Sequence, residues 1–336
     1  MEHIVNFLDD IILDTVFRSP YFPSALSPYF AIRTCAIRQC VTLWLIGAIG
    51  GSLIYFIFAT LSYIFVFDHN LKNHPKYLPN QITREITMTL QNIPIISFLT
   101  VPWWFAELRG YSKLYTDSVG YPFLVLSAFT FLAFTDMLIY FIHRAEHHPS
   151  VYFWLHKPHH LYKIPTPFAS HAFHPLDGYL QSIPYHIYIF LFPLHSWLYL
   201  GLFVFVNVWT ISIHDGAHLY GGGILNGTAH HTIHHAKFNY NYGQYFTLWD
   251  RIGGSYRYPE EEYKKHMMWQ RVERKMEIDE LNTARMEKEQ MNGHANGNGA
   301  AGGLVECDSS EGYCKVKING HATTAIASKR SARRRE

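Results

Sequence analysis

Residues 143–160 read HRAEHHPSVYFWLHKPHH, six histidines in eighteen positions directly after an apolar run. His143 is followed by the pair His147-His148 as H-x3-H-H, and His156 by the pair His159-His160 as H-x2-H-H. Some seventy residues on, His231-Thr-Ile-His234-His235 repeats H-x2-H-H. At about 100° per residue, helical positions i, i+3 and i+4 share a face, so each cluster presents several imidazoles together. Neutral imidazole suits Fe, Zn, Cu or Ni, whereas carboxylate and carbonyl donors suit Mg or Ca, so the clusters point to a transition metal. A four-ligand site would not use so many donors, and two metals are the simpler reading. Sixteen of the 22 histidines fall between His143 and His235, which argues against independent structural roles for all of them.

The composition, 49% hydrophobic and 16% aromatic against 16% charged, biases the chain toward a membrane protein. The net charge of +2 selects no partner, and no nucleic-acid partner is expected. The four cysteines, Cys35, Cys40, Cys307 and Cys314, lie far from the histidines at spacings that suit neither a metal nor a redox pair. Residues 1–40 form an N-terminal segment with no removable signal peptide pattern.

Residues 41–67 are nearly uncharged and long enough to cross a ~30 Å hydrocarbon layer. Residues 88–106 are apolar but contain Pro94 and Pro102, and either span or re-enter; 122–142 make a second clear span, with Pro122 at its start. Residues 179–213, with Pro184 and Pro193, are too long for one helix and predict a membrane hairpin that returns His214 to the side of His143. The expected fold is an all-α integral membrane protein with a cytosolic, histidine-rich di-metal helical cap. Its catalytic region would cover 143–258, followed by a charged helix and a largely disordered tail over 260–336.

The clusters, together with FTDMLIYFIHR, HKPHH, PTPFASHAFHPLDG, WTISIHDG and NYNYGQYFTLWDRIGGSYR, resemble the membrane-bound fatty acid hydroxylase and sterol desaturase superfamily, in its C-5 sterol desaturase branch. The resemblance covers about residues 134–258. It implies metal-ligand roles for His143, His147, His148, His156, His159, His160, His231, His234 and His235, with His214 and His218 as an additional H-x3-H pair. Helical phase alone favours His147 over His148, and Pro149 leaves both open. Asp136, one face with His143 and inside a membrane segment, is expected beside a ligating imidazole. Thr166, His171, His174, Asp177, Asp215, Tyr245 and Trp249 are expected next to the ligands or facing substrate.

The resemblance further implies two iron ions, O2 as co-substrate and introduction of the C5–C6 double bond into a Δ7-sterol. The sequence has neither an H-P-G-G haem segment nor a G-x-G-x-x-G fingerprint. Electrons would therefore come from NAD(P)H through a reductase and cytochrome b5 at the endoplasmic reticulum membrane. Sterol C-4 methyl oxidase and lipid hydroxylase share the clusters, and a membrane metal-binding or transport protein is the alternative of another class. A cytosolic catalytic face would leave the sequon Asn226-Gly227-Thr228 unmodified.

Overall fold

The computed structural model describes residues 2–217 and 223–259, helical positions Thr283 and Met286, and three strands between 305 and 326. The chain divides into two units, Met1–His266 and Met267–Glu336.

The first unit is helical. Short helices α1 (Glu2–Leu8), α2 (Asp14–Phe17) and α3 (Ser27–Phe30) precede the long α4 (Ala36–Phe65). Arg38, buried at the start of α4, gathers them: its guanidinium donates to Asp14 Oδ1 and to Phe30 O, both at 2.6 Å, and pairs with Asp9. A charge buried there is tolerable because it is paired and hydrogen-bonded on several sides. α5 (Gln81–Leu108) packs along α4, where Gly47 admits the Trp104 ring and the Trp44 indole donates to Pro94 O at 2.9 Å. Pro94 and Pro102 lie inside α5 without ending it.

α6 (Tyr121–Glu146) starts with proline in its first turn and leads through α7 (Pro149–Leu155) to two 3-10 segments, His159–Leu161 and Pro167–His171. α8 (Pro175–Leu191) and α9 (Ser196–Ser212) follow. The turn between these two helices falls at Phe192–His195, next to Pro193, and Pro184 sits within α8. A two-residue parallel pairing of β1 (Leu114–Tyr115) with β2 (Leu194–His195) ties that turn to the α5–α6 connection. Phe131 of α6 packs edge-on to Tyr188 of α8, in a core with Ile189, Leu202 and Val206. α10 (Thr228–Lys237) and α11 (Leu248–Ile252) complete the unit.

α4 and α6 are long and apolar enough to cross a membrane. Their outward faces are not covered by protein: Ile49, Leu53, Ile57, Leu61 and Ile64 of α4 are all exposed, as are Val125 and Phe129 of α6. A continuous apolar stripe of this length is suited to lipid rather than water.

In the second unit, β3 (Val305–Asp308), β4 (Tyr313–Ile318) and β5 (His321–Ile326) form an antiparallel sheet in the order β3-β4-β5. These three strands depart from the otherwise mostly helical architecture of the described residues. The charged helix expected after residue 260 lies outside the described residues, apart from Thr283 and Met286.

Candidate metal centre

Four stretches of chain bring the histidines together. His143 lies in the last turn of α6 and His147 is its C-cap; His156 is the C-cap of α7, and His159 and His160 form the 3-10 turn that follows. His214 follows α9, and α10 supplies His231, His234 and His235. The result is two groups: His143, His147, His156, His160 and His234 in one, and His159, His214, His231 and His235 in the other. Within each, the candidate ligand atoms lie within 4.8 Å of one another.

Adjacent residues on a helical turn point about 100° apart, which explains the H-x2-H-H spacing. In the middle stretch His156 and His160 face the first group and His159 the second; on α10 His234 faces the first, and His231 and His235 the second. The pairs His159-His160 and His234-His235 thus each serve both groups. His160 and His235, one from each, have ring centroids 4.8 Å apart.

The outer nitrogens are held by hydrogen bonds that fix the tautomer. Nδ1 of His143 donates to Tyr242 O at 2.9 Å, His214 to Thr210 O at 2.7 Å, His234 to Tyr240 O at 2.8 Å and His159 to Ala172 O at 3.3 Å. His156 Nδ1 donates to Asp177 Oδ2 at 2.7 Å. A neutral imidazole protonated at Nδ1 carries a lone pair on Nε2. The Nε2 atoms of these imidazoles and of His147, His160, His231 and His235 beside them face one another: His143 to His156 at 3.0 Å, His147 to His160 at 3.2 Å and to His234 at 3.3 Å, His231 to His214 at 3.0 Å and to His235 at 3.1 Å. Lone pairs converging at such distances repel unless a cation lies among them, so the donor set fits one metal ion per group.

Burial also keeps the imidazoles neutral. It holds His156 and His159 down to about 3, and His160, His214, His231, His234 and His235 well below the ordinary imidazole range, where neighbouring imidazoles add to the effect.

The remaining residues singled out in the sequence fall in several places. His148 is exposed and lies outside both groups: as N-cap of α7 its Nδ1 meets the Ser150 amide and hydroxyl, because the chain turns at Pro149 and swings it away. His218 lies outside the described residues. Asp136 is not beside a ligating imidazole; its Oδ1 accepts the amides of Gln244 (3.1 Å), Tyr245 (2.6 Å) and Phe246 (3.2 Å). It thereby anchors the loop whose carbonyls at Tyr240 and Tyr242 hold His234 and His143. Asp177 backs His156 directly and accepts Gln181 Nε2 at 2.7 Å through its other oxygen. His174 is the N-cap of α8, accepting the Leu176 amide. Asp215 accepts the Ala217 amide and the Thr228 hydroxyl, joining the end of α9 to the start of α10. Thr166 donates to Glu85 of α5. Tyr245 shares a hydrogen bond with Tyr185 at 3.1 Å, and Trp249 packs on Phe141.

Sequence reasoning missed three buried acids. Glu85 binds the Thr166 hydroxyl and Gln81. Asp250 accepts the amides of Tyr242 and Gly243 and the Ser255 hydroxyl. Glu146 approaches His156 Nδ1 to 4.0 Å. Asp250 follows the aromatic NYNYGQYFTLW run, and Glu146 stands inside the first cluster; an acid among so few charged residues was the available signal. Near Asp250, Gly253 is required: a Cβ there would overlap the Tyr140 hydroxyl where Arg144 donates to Gly253 O at 2.8 Å.

Behind the histidines a cleft of about 990 Å³, counted to its open mouth, runs between α4, α5, α8 and α9. Its inner end is polar, with His171, Asn207, Thr210, Gln181 and Gln244; its outer end is Trp104, Phe203 and the bare backbone at Gly47 and Gly51. His171 Nε2 meets Asn207 Oδ1 at 3.1 Å. Thr210 and Gln181 connect this end to the metal groups, since they also hold His214 and Asp177. A second, more apolar cleft of about 950 Å³ shares Gly47, Gly51, Trp104 and Phe203.

Buried all-imidazole groups beside a cleft fit a metal-dependent oxygenase, and residues 128–255 match the fatty acid hydroxylase family. The chain is 55% identical over 260 residues to lathosterol oxidase of Rattus norvegicus, covering 74% of this chain and 86% of that protein. It is 55% identical over 255 residues to lathosterol oxidase of Homo sapiens, covering 74% and 84%. Against a Δ7-sterol 5(6)-desaturase of Aspergillus fumigatus it is 51% identical over 255 residues, covering 75% and 72%. The chain belongs to this family of lathosterol oxidases and Δ7-sterol 5(6)-desaturases. No solved structure matches it.

Proposed function

We propose that the chain is a sterol C-5 desaturase that uses O2 to introduce the C5–C6 double bond into a Δ7-sterol. The observation that carries this reading is the pairing of two inward-facing imidazole groups with a cleft whose polar end adjoins them, in a chain 55% identical to lathosterol oxidases. The ligands would be His143, His147, His156, His160 and His234 for one iron and His159, His214, His231 and His235 for the other. His148 is left out of the set. Two bound irons would supply the reductive activation of O2 needed to attack an unactivated C–H bond.

The protein's own residues orient and enclose. Tyr240, Tyr242, Thr210 and Ala172 carbonyls and the Asp177 carboxylate hold the imidazoles in one tautomer, so the donors need no rearrangement to bind a cation. The sterol's hydroxyl is one ring away from ring B, where the double bond forms. With ring B against the histidines, the hydroxyl comes within reach of the polar side chains at the inner end of the cleft. The hydrocarbon tail then lies toward Trp104 and Phe203 and excludes water.

The balance is removal of two hydrogens from C5 and C6, with O2, two external electrons and two protons giving two waters. The electron donor is cytochrome b5 with its NAD(P)H-dependent reductase, and the enzyme is a multi-pass protein of the endoplasmic reticulum membrane. Arg144, Lys157 and Lys163 beside the histidines support a cytosolic catalytic face under the positive-inside rule. The sequon at Asn226 cannot report that orientation, because Asn226 is buried and its side chain donates to Gly243 O; engineered sites must do so.

The test is the sterol profile of desaturase-deficient cells with and without the chain, read by the near-ultraviolet absorption of the 5,7-diene. Diene formation from a Δ7-sterol is expected. An unchanged Δ7-sterol, with oxidation of a C-4 methyl sterol, hydroxylation of another lipid or metal uptake in its place, would overturn the reading.

A further inference from the structure

Between His143 and Tyr258 the chain has four acidic side chains, Glu146, Asp177, Asp215 and Asp250, and all four are buried. Its Lys and Arg side chains, Arg144, Lys157, Lys163, Lys237, Arg251 and Arg257, are each exposed or partly so. The charged side chains that this stretch exposes are therefore all cationic. Within that surface two aromatic rings separate the metal groups from the outside. Tyr152 stacks on His147 with centroids 5.4 Å apart and lies 6.0 Å from His160. Phe238 lies 5.0 Å from His160 and 6.1 Å from Tyr152.

Phe238 is held at φ +66°, a conformation that is costly for a bulky residue and marks a position fixed by its surroundings. The strain places its ring between the metal group and Lys163, whose ammonium sits 5.7 Å from the ring centroid. On the other side of Tyr152, Lys157 lies 4.3 Å over Phe153, and Phe153 and Trp154 are 54% and 75% exposed. Exposed aromatic rings are enriched in protein-binding surfaces, and the lysines beside them set the charge that a partner must complement.

We propose that the face formed by Tyr152, Phe238, Lys157 and Lys163 docks a one-electron carrier protein through an acidic surface on that carrier. Tyr152 and Phe238 are the groups through which electrons reach the five-histidine group. The proposal rests on the functional reading, since desaturation takes two electrons from the substrate and needs two from outside. Each docking event oxidises one carrier by one electron, so two carriers are consumed per O2. Long-range electron transfer falls steeply with distance, and the rings that touch His147 and His160 are the short route from this surface.

The test uses the full-length protein in detergent or nanodiscs, reduced cytochrome b5 as the probe, and the Lys157→Glu/Lys163→Glu variant. At low ionic strength the variant's KM for cytochrome b5 should rise about tenfold or more, and the gap should shrink as salt shortens the screening length. Single-turnover diene formation after chemical reduction by dithionite should match wild type. Phe238→Ala should lower the rate of cytochrome b5 oxidation at saturation while leaving its KM nearly unchanged. An unaltered donor KM and salt dependence would overturn the proposal. So would an equal loss in the chemically reduced single turnover, which would mean a damaged centre. Loss of binding to phosphatidylserine vesicles with donor kinetics unchanged would assign the face to lipid and overturn it as well. Should wild type oxidise cytochrome b5 but yield no diene after chemical reduction, the substrate reading fails while donor kinetics still judge the surface.

Discussion

Replacing Asp177 by asparagine is the sharpest probe of how the metal centre is held. Asp177 is fully buried and accepts a 2.7 Å bond from His156 Nδ1 and another from Gln181. A hydrogen bond to a charged group contributes roughly 1.5–3 kcal/mol and a neutral one about 0.5–1.5. Asp177→Asn keeps an acceptor but removes the charge, so the His156 bond should weaken by about 1–1.5 kcal/mol. That corresponds to roughly tenfold in metal affinity, the low end of what residues supporting a ligating histidine usually contribute. Asp177→Ala leaves the buried His156 donor unmatched, at about 1–3 kcal/mol, and should cost the chain stability as well. The assay is iron titration of metal-free protein against a competing chelator, with iron per chain counted. Because His156 is in the five-histidine group and not in the four-histidine group, the variant should lose the metal of the first group and retain the other. Folded Asp177→Asn and Asp177→Ala proteins with wild-type affinity and stoichiometry would refute the reasoning.

Other outcomes follow from the same geometry. His148→Ala should leave iron content unchanged and cost only about 0.5–2 kcal/mol through loss of the α7 N-cap, measured by metal analysis and thermal unfolding. His234→Ala and His235→Ala should deplete different metals, since the two residues face different groups; parallel metal analysis of the pair checks this. Gly51→Phe should abolish turnover with iron content unchanged, because Gly51 lines both clefts and a Cβ there meets only Ile93, at 3.6 Å. Acid should destabilise the metal-free protein: His156 and His159 stay neutral in the fold down to about 3 but protonate near 6.5 when unfolded. Their neutral forms contribute stability present above 6.5 and lost as pH falls toward 3, about 1.4 kcal/mol per residue per pH unit. A denaturation midpoint that does not fall between pH 6.5 and 5 would contradict this.

What could be read from the chain was whatever depends on side-chain identity and period. The three histidine clusters were legible because H-x2-H-H on a helical turn presents imidazoles in fixed directions. The long apolar runs were legible because lipid-facing helices need no polar face. The outer partners of the imidazoles were not, since four of the five are backbone carbonyls that any residue could supply. Asp136 was legible as unusual but not as an anchor, because its three amide donors come from more than a hundred residues away. Pro184 was expected to help break the hairpin, but it is tolerated within α8, and the turn forms at Pro193. Asn226 reads as a sequon, yet it is a buried donor.

These particulars separate two tasks that the sequence merges. Metal binding depends on nine imidazoles and, for five of them, on the acceptors that turn Nδ1 outward; four of those five acceptors sit in two loops and their ends, 166–177 and 238–250. Substrate choice depends on the cleft behind them, whose polar end shares Thr210 and Gln181 with the supports of the histidines. A substitution in either loop therefore perturbs metal retention through the carbonyls and Asp177. A substitution at Gly47 or Gly51 changes the space available to the hydrocarbon tail without touching a ligand. The two kinds of defect are separable by metal content, so a variant that retains its iron but loses turnover maps the cleft, whereas one that loses iron maps its supports.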